Sequence, residues 1–282
     1  DLLALRGLIA SGRLFGRPRD ELHAVYAEIE ERLREELDYL QEAANIGAFQ
    51  RVYGDDDRVR IPAVHGAWST ERILTMDHLP GRPLDQFAAS ADGPTRQATG
   101  LVLAELFLEM AFEHRLLHAD PHPGNYLFED DGRIGLLDFG CVKRFDEFFI
   151  GSYAKVALAA LEGDRDACLQ ACRDLGAWTG DDPAAGDVIW EFCQAIVTPF
   201  TSGPLKLGGP RDTVVEDAMH VGRRMWKFKE IRGAGDMIFL HRTLGGMYTL
   251  ARELELEADF EPMLRRHMQR AVDRASGQLA GA

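Results

Sequence analysis

The chain has 282 residues and a mass of 31.4 kDa, which suits one large domain or two modest lobes. Hydrophobic residues make up 46% of it, enough to bury a core. With 46 acidic against 32 basic residues, its formal net charge is -14, which argues against a nucleic-acid-coating protein, because phosphate backbones require a basic surface.

The first elements predicted along the chain are a helix and two strands. Apolar residues at three- and four-residue steps predict one long helix from Asp20, its N-cap, to about Phe49. Two short β-like segments follow, Val59–Trp68 and Arg72–Leu79. These elements are expected to form a small N-terminal lobe.

The sequence then predicts a division into two lobes. Gly81-Arg82-Pro83 is typical of a linker. We therefore predict a partial N-terminal lobe over residues 1–79 and a mainly helical C-terminal lobe over residues 80–282. The strongly apolar pattern from about Pro94 to Leu116 predicts a central buried helix in the second lobe.

A non-helical segment follows this helix. Residues His118–Asn125 contain too much Pro and Gly for a helix. The apolar runs Tyr126–Phe128 and Ile134–Leu137 flank the turn Asp130-Asp131-Gly132 and predict a β-hairpin. Beyond Phe145 the pattern is helical almost to the end of the chain.

The irregular segment and the hairpin carry a recognisable set of polar residues. His118-Ala-Asp-Pro-His-Pro-Gly-Asn125 is followed by Asp138-Phe139-Gly140, the order H-x-D-x-x-x-x-N and D-F-G of kinases. Carboxylate and amide oxygens suit Mg2+, so Asn125 and Asp138 are predicted metal ligands. Asp120 is the predicted catalytic carboxylate, accepting or orienting the attacking hydroxyl. His118 completes the predicted catalytic loop, bracing it rather than exchanging protons.

With these motifs, the chain resembles the UbiB/AarF family of atypical protein-kinase-like proteins. The resemblance includes Glu36-Leu37-Asp38-Tyr39 and Glu42-Ala43-Ala44-Asn45, which match the family's E-x-D and E-A-x-N segments, and extends to Leu240–Gly246. It implies a protein-kinase-like α+β fold with an incomplete N-terminal lobe and a mainly helical C-terminal lobe.

The resemblance also implies roles for further residues. Glu42 matches the helix glutamate that pairs with a phosphate-anchoring Lys, which gives it a catalytic role. Glu36 and Asp38 match a regulatory pair that restrains protein phosphorylation. The implied adenine-binding residues are the gatekeeper Met76, the hinge residues Asp77, His78 and Leu79, and the pocket floor formed by Leu127 and Leu137.

One part of the kinase pattern is absent from the sequence. The first lysine of the chain is Lys143, after the Asp-Phe-Gly motif, and no Gly- or Ala-rich phosphate loop precedes the long helix. Because the chain opens with Asp1 rather than Met, we expect a piece of a longer protein. A naturally degenerate kinase is the alternative explanation.

The expected function is a Mg2+-dependent kinase or ATPase that binds ATP or ADP. By resemblance it would support isoprenoid-quinone or lipid metabolism, with an isoprenoid lipid or lipid-biosynthesis proteins as partners and no nucleic acid. One alternative is a small-molecule phosphotransferase of the aminoglycoside or choline kinase kind. The other is a non-catalytic scaffold that keeps the kinase fold.

Two further expectations concern location and cysteine chemistry. No apolar run reaches the length of a membrane span, so we expect a cytoplasmic protein, with peripheral contact at the inner face of the membrane as an open alternative. The basic, amphipathic segment Met263–Arg274 is expected to be a packed or frayed terminal helix rather than a membrane-binding one. The four cysteines are expected to be free thiols, with Cys168 and Cys172 on one helix face.

Overall fold

The computed structural model of the protein describes residues 38–233 and 235–277 and has a mixed architecture of helices and short strands. The helices are α1 (Tyr39–Tyr53), α2 (Leu84–Ser90), α3 (Gly93–Leu108), α4 (Glu147–Glu162), α5 (Arg165–Asp174), α6 (Pro183–Val197), α7 (Val214–Met225), α8 (Gly235–Glu253) and α9 (Glu261–Ala275). The strands are β1 (Val59–Arg60), β2 (Leu116–His118), β3 (Tyr126–Phe128), β4 (Ile134–Leu136), β5 (Val142–Arg144), β6 (Leu205–Lys206) and β7 (Glu257–Ala258).

The predicted β-hairpin is confirmed. Strands β3 and β4 pair antiparallel with Leu127 opposite Gly135, and β1 adds to the other side of β4 in parallel. Strands β2 and β5 form a separate antiparallel pair, with His118 opposite Val142. The sheet therefore joins a strand from before residue 79 to the hairpin that follows it, and the division into two lobes at that residue stays a prediction.

The prediction of one continuous helix from Asp20 to Phe49 is wrong at Asp38. Asp38 has φ -88° and ψ 84°, outside the helical region, and its carboxylate accepts hydrogen bonds from the backbone amides of Leu40 and Gln41, both at 3.1 Å. Asp38 is thus the N-cap of α1, which begins at Tyr39 and extends to Tyr53. The predicted N-cap Asp20 lies outside the described residues.

The two β-like segments Val59–Trp68 and Arg72–Leu79 are strands only in small part. Regular strand is limited to Val59–Arg60, because Pro62 has no amide to continue the ladder and Gly66–Trp68 turns into a 3-10 helix. Elsewhere the segments approach each other through a single bridge between Val64 and Met76. The alternation of apolar residues in these segments therefore reflects packing against the core, and the segments do not form a regular hairpin.

The central helix is shorter than the predicted segment Pro94–Leu116. Helix α3 ends at Leu108 and widens into a π-turn over Glu109–Glu113. Arg115 then adopts a left-handed φ of 53°, and Leu116 opens β2. The apolar character continues through this change because Met110, Ala111 and Phe112 are buried in the same core.

Two hydrophobic cores are present among the described residues. The main core combines α1, α3, the hairpin, α8 and α9 around Phe49, Phe128 and Phe139, all fully buried. A smaller one, called here the second core, lies where α4, α5 and α6 meet. Its buried members are Ala159, Ala160, Leu161, Cys168, Leu169, Cys172, Trp178, Ala185, Ile189 and Val197.

The terminal segment forms α9, and its apolar face is covered by the rest of the chain. Met263, Met268 and Ala271 are buried against the main core, and His267 lies between the carboxylates of Glu105 and Glu113. Among the described residues, none of the helices combines the length and the apolar character that crossing a bilayer requires.

Candidate active site

His118 holds the two halves of the motif together. It is the last residue of β2, is buried, and bonds through Nε2 to the backbone carbonyl of Asp138. The rings of Phe49 and Phe139 meet it edge-on at centroid distances of 6.3 and 5.4 Å. Burial lowers the pKa of His118. A neutral, enclosed imidazole of this kind positions the loop.

Asp120 and Asn125 contact each other directly. The Asn125 amide nitrogen Nδ2 donates to the Asp120 carboxylate oxygen Oδ2 at 2.6 Å. The backbone amide of Leu137 donates to the carbonyl of Asn125 at 3.0 Å, so the end of β4 is tied to this loop. Since Asp138 directly follows Leu137, this backbone hydrogen bond connects the segment of Asp138 to the loop of Asp120 and Asn125.

Asp138 lies at the exposed end of this arrangement. Its carboxylate oxygen Oδ1 accepts a hydrogen bond from the Gly140 amide at 2.9 Å, which leaves Oδ2 as the ligand atom for a cation. In Asn125 the amide nitrogen faces Asp120, which leaves Oδ1 for the same purpose. A carboxylate oxygen and an amide oxygen are the donor set that Mg2+ prefers.

Helix α1 binds the backbone of the Asp-Phe-Gly motif from the other side. The Phe139 amide donates to the Glu42 carboxylate oxygen Oε1 at 3.2 Å, and the Asn45 amide nitrogen donates to the Phe139 carbonyl at 2.9 Å. Burial raises the pKa of Glu42, the hydrogen bond from Phe139 opposes this, and the negative charge of Asp138 adds to the rise. One helix thus fixes Phe139 through both of its backbone polar groups.

Helix α8 supplies two contacts that sequence reasoning did not assign. The Arg242 guanidinium donates to the carbonyl of Ala119 and to Cys141 Sγ, so it bridges the catalytic loop and the residue after the motif. Gly246 lies against Pro121, and a Cβ there would overlap the proline ring. Both residues belong to the segment Leu240–Gly246, whose resemblance to the family indicates that it matters. The sequence of that segment does not indicate that it packs against the loop that contains Ala119 and Pro121.

The predicted adenine-binding residues contact the N-terminal segment at one end and the hairpin at the other. The Asp77 amide donates to the carbonyl of Ala63 at 2.9 Å, and Met76 bridges to Val64. Leu79 and Leu127 both lie against Gly135, where a Cβ would be 3.2 Å from Leu79 Cδ1. Asp77 and His78 are exposed, whereas Leu137 is half-buried beside the predicted metal ligand Asp138.

The two predicted regulatory residues have different outcomes. Glu36 lies outside the described residues. Asp38 is described as the N-cap of α1, where its carboxylate is engaged by the helix's own amides. Asp38 thereby fixes the start of the helix that carries Glu42 and Asn45 to the Asp-Phe-Gly backbone.

The arrangement is suited to holding a cation and orienting a hydroxyl group. Hydrogen bonds join His118 to the Asp138 carbonyl and Asn125 to Asp120, and the Phe139 amide bonds to Glu42 on α1. Apolar cavities of about 160 and 250 Å3 lie elsewhere, in the helical part of the chain. Phosphoryl transfer requires just such metal-positioning and hydroxyl-orienting groups, with little covalent chemistry from the protein.

Comparison with known proteins gives a consistent result. Residues 1–172 match the family described as the ABC1 atypical kinase-like domain. The rat mitochondrial atypical kinase COQ8B is 34% identical over 176 residues, which is 62% of this chain and 33% of that protein. The Arabidopsis thaliana chloroplastic protein ACTIVITY OF BC1 COMPLEX KINASE 8 is 33% identical over 171 residues, 59% of this chain and 22% of that protein.

Coverage differs between the curated and the structural relatives. The zebrafish COQ8B is 32% identical over 224 residues, 78% of this chain and 35% of that protein. The chain thus spans about a third or less of these curated relatives. The solved complex of Rv3197 with erythromycin from Mycobacterium tuberculosis matches with a TM-score of 0.67 at 22% identity, over 95% of this chain and 68% of that one. This likeness confirms the kinase-like α+β fold.

Proposed function

The chain belongs to the ABC1 atypical kinase-like family, and on that premise we propose that it is a Mg2+-dependent atypical kinase or ATPase that binds ATP or ADP. The family membership supports the kinase role itself. The bound nucleotide, the Mg2+ ion and a role in isoprenoid-quinone or lipid metabolism are parts of our proposal.

One observation carries this proposal: Asn125 is bonded to Asp120 and to the amide of Leu137, the residue before Asp138, and Asn125 and Asp138 each keep an uncommitted oxygen. Asn125 commits its nitrogen to Asp120, and Asp138 commits one oxygen to Gly140. The residues therefore fit a Mg2+ ion, which Asn125 and Asp138 would hold. Bound there, the cation would neutralise charge on the phosphate oxygens.

The chain's own residues divide the remaining work. Asn125 holds the Asp120 oxygen Oδ2. The other oxygen, Oδ1, would therefore accept a proton from the attacking hydroxyl or water, or orient it. His118, which is buried and bonded to the Asp138 carbonyl, would keep Asp120 and Asp138 at a fixed separation. Glu42 would remain the partner for a phosphate-anchoring cation while it holds Phe139.

Adenine would bind at the segment that joins the two lobes. Leu79 and Leu127 offer apolar surface around Gly135, and Leu137 extends it toward the metal-binding residues. The exposed residues Asp77 and His78 would face the base with backbone groups other than the Asp77 amide, which donates to Ala63. Met76, bridged to Val64, would define the back of this pocket.

The test of nucleotide binding is a thermal-shift titration of the chain with Mg-ATP and Mg-ADP. Nucleotide at about 100 times its dissociation constant should stabilise the fold by about 2.7 kcal/mol. Asp138→Asn should abolish the shift that depends on Mg2+. The matched control is Asp166→Asn, since the Asp166 side chain is 99% exposed on α5 and remote from the motif.

Turnover distinguishes an enzyme from a scaffold. With phosphate release from ATP as the readout, Asp120→Asn should keep the thermal shift and lower the rate by at least about 100-fold, because hydroxyl orientation is lost while binding is kept. Equal shifts with and without Mg2+ in wild type and in Asp138→Asn would overturn the metal assignment. A Mg2+-dependent shift without any turnover would favour a scaffold.

As a partner we propose an isoprenoid lipid, with peripheral membrane contact of a cytoplasmic protein. Support comes from an apolar cavity of about 160 Å3 between α3, α4, α6, α8 and α9, lined among others by Phe107, Tyr153 and Met247. A short-chain prenyl quinone should stabilise wild type. Ala104→Leu, which reduces this cavity, should weaken that effect and leave the Mg-ADP shift intact.

A further inference from the structure

Three of the four cysteines meet in the second core. Cys168 and Cys172 lie one turn apart on α5, and Cys193 approaches them from α6. All three Sγ atoms lie within 4.8 Å of one another. Cys141, the fourth, lies far along the chain beside Arg242 and is not part of this group.

Packing alone does not require this arrangement. A buried cysteine commonly acts as a small apolar residue, and Cys168 is fully enclosed while Cys172 is 4% exposed. Apolar filling would be served equally well by thiols that face alanines or leucines of the same core. Here each sulfur instead faces two other sulfurs, which concentrates three soft ligand atoms at one point.

The spacing of the sulfurs fits metal coordination. A zinc–sulfur bond of about 2.3 Å places sulfurs about 3.8 Å apart around a tetrahedral ion. Sulfurs within 4.8 Å of one another reach that spacing by shifts of about 1 Å or less, which small side-chain rotations supply. A disulfide requires about 2.05 Å between two sulfurs and therefore a larger movement.

An open space adjoins the sulfurs on one side. A cavity of about 250 Å3 is lined by Cys172 and Cys193, with His241 and Tyr153 also on its wall. The His241 ring nitrogen Nε2 and the Tyr153 hydroxyl bond to each other at 2.9 Å, so both are occupied. The cavity provides an entry path and room for a fourth ligand such as water.

We propose that Cys168, Cys172 and Cys193 form a three-thiolate binding site for a divalent thiophilic cation of the zinc class, with its fourth coordination position facing the cavity. Binding replaces three thiol protons by one metal ion. Three thiolates and a divalent ion leave a net charge of -1, whereas a monovalent ion would leave -2, which is costlier to bury.

A divalent ion displaces the protons of these thiols because it binds all three sulfurs at once.

The experiment uses the reduced, metal-free full chain under anaerobic conditions, titrated with Cd2+ as a probe for zinc-class ions. We expect thiolate-to-cadmium charge-transfer absorbance that saturates at one equivalent, and a zinc affinity measurable by competition with a chromophoric chelator. Cys193→Ser and Cys193→Ala should each lose more affinity than the about 10- to 100-fold that removal of an outer-shell partner costs. Cys141→Ser is the matched control and should retain the absorbance.

Circular dichroism establishes that each variant is folded before its affinity is interpreted, and two replacements at Cys193 guard against a single misfolded variant. Unchanged absorbance in folded Cys193→Ser, or its loss in Cys141→Ser, would overturn the site. A chain that takes up no Cd2+ and instead links Cys193 to Cys168 or Cys172 on mild oxidation would overturn it as well.

Discussion

The segment from His118 to Gly140 and the second core use polar atoms in different ways. In the first, side chains bond to backbone groups: His118 to the Asp138 carbonyl, and Glu42 and Asn45 to Phe139. In the second, thiols face one another inside an apolar cluster. A linear motif records His118 and the backbone groups of the first arrangement because this segment supplies them, whereas Glu42 and Asn45 come from α1. The second exists only after α5 and α6 pack.

The family match covers the first of these two regions and only part of the second. Residues 1–172 match the ABC1 atypical kinase-like domain, and that stretch contains the whole candidate active site except the supports on α8. It ends at Cys172, so Cys193 and much of the wall of the second core lie beyond it. The two regions should therefore respond differently to substitution, which the following predictions test.

The largest expected effect is on stability, from Trp178→Ala in the second core. Trp178 is 5% exposed, carries the Arg173 guanidinium 3.8 Å from its ring centroid, and donates through Nε1 to Glu230. Its removal should cost about 3–5 kcal/mol in the free energy of unfolding, measured by chemical denaturation. The thermal shift with Mg-ADP should stay the same size, because no active-site residue contacts this tryptophan in the described structure.

Trp226 provides the control, since it is 90% exposed. Trp226→Ala should change the unfolding free energy by no more than about 0.5 kcal/mol. If folded Trp178→Ala loses its response to Mg-ADP, the two regions are energetically coupled and the comparison fails.

The second effect comes from the active-site side, through Asn45→Ala. This change leaves the carbonyl of the fully buried Phe139 without its donor, which should cost about 1–3 kcal/mol. It should also weaken Mg-ADP binding, because Asp138 adjoins the released residue. Gln41→Ala removes an exposed neighbour that bonds to Asn45 at 3.2 Å and should leave both quantities nearly unchanged.

The candidate active site was open to sequence reasoning because its residues are close along the chain. The spacing of Asp120, Asn125 and Asp138 predicts that they lie together, and the structure bonds Asn125 to Asp120 and to the amide of Leu137, the residue before Asp138. The contact of Asn45 with Phe139 joins residues 94 positions apart, and only the resemblance pointed to that helix. Arg242 is more distant still, at 123 positions from Ala119.

The errors in the predicted fold have local causes. Periodicity continued across Asp38, so the helix start was missed, although an Asp can cap a helix by binding its first free amides. The apolar run into Leu116 concealed the left-handed turn at Arg115. For the thiols, the spacing of Cys168 and Cys172 predicted a shared helix face, but no sequence pattern placed Cys193 opposite them.

The third prediction compares alanine substitutions at two neighbouring glycines of α8. Gly246→Ala places a methyl group into the Pro121 ring, which should displace the catalytic loop and cost a net of about 0.5–2 kcal/mol after the gain in helix propensity. Gly245 has open space around it, so Gly245→Ala should be stabilising by up to about 1 kcal/mol. ATP turnover should fall in the first variant alone; equal turnover in both would mean that α8 does not position the loop.

The smallest effect is a change in pH dependence from Glu42→Gln. Burial raises the pKa of Glu42 above 4.5, so the folded state binds this proton more tightly than the unfolded state, and stability falls as pH rises from about 4.5 through the folded pKa. Glutamine keeps an oxygen for the Phe139 amide and removes the charge. Denaturation of both proteins between pH 4.5 and 7 should therefore show a difference that grows in favour of Glu42→Gln as pH rises.

His118 acts in the opposite direction, because burial lowers its pKa and its stabilising contribution is lost as pH falls below 6.5. It is present in both proteins, so the difference between them isolates Glu42. Glu71→Gln, at an exposed position, is the matched control for the substitution itself. A difference that stays constant with pH would mean that Glu42 is not held against Phe139 and Asp138. The contact between α1 and the Asp-Phe-Gly backbone would then be weaker than its geometry indicates.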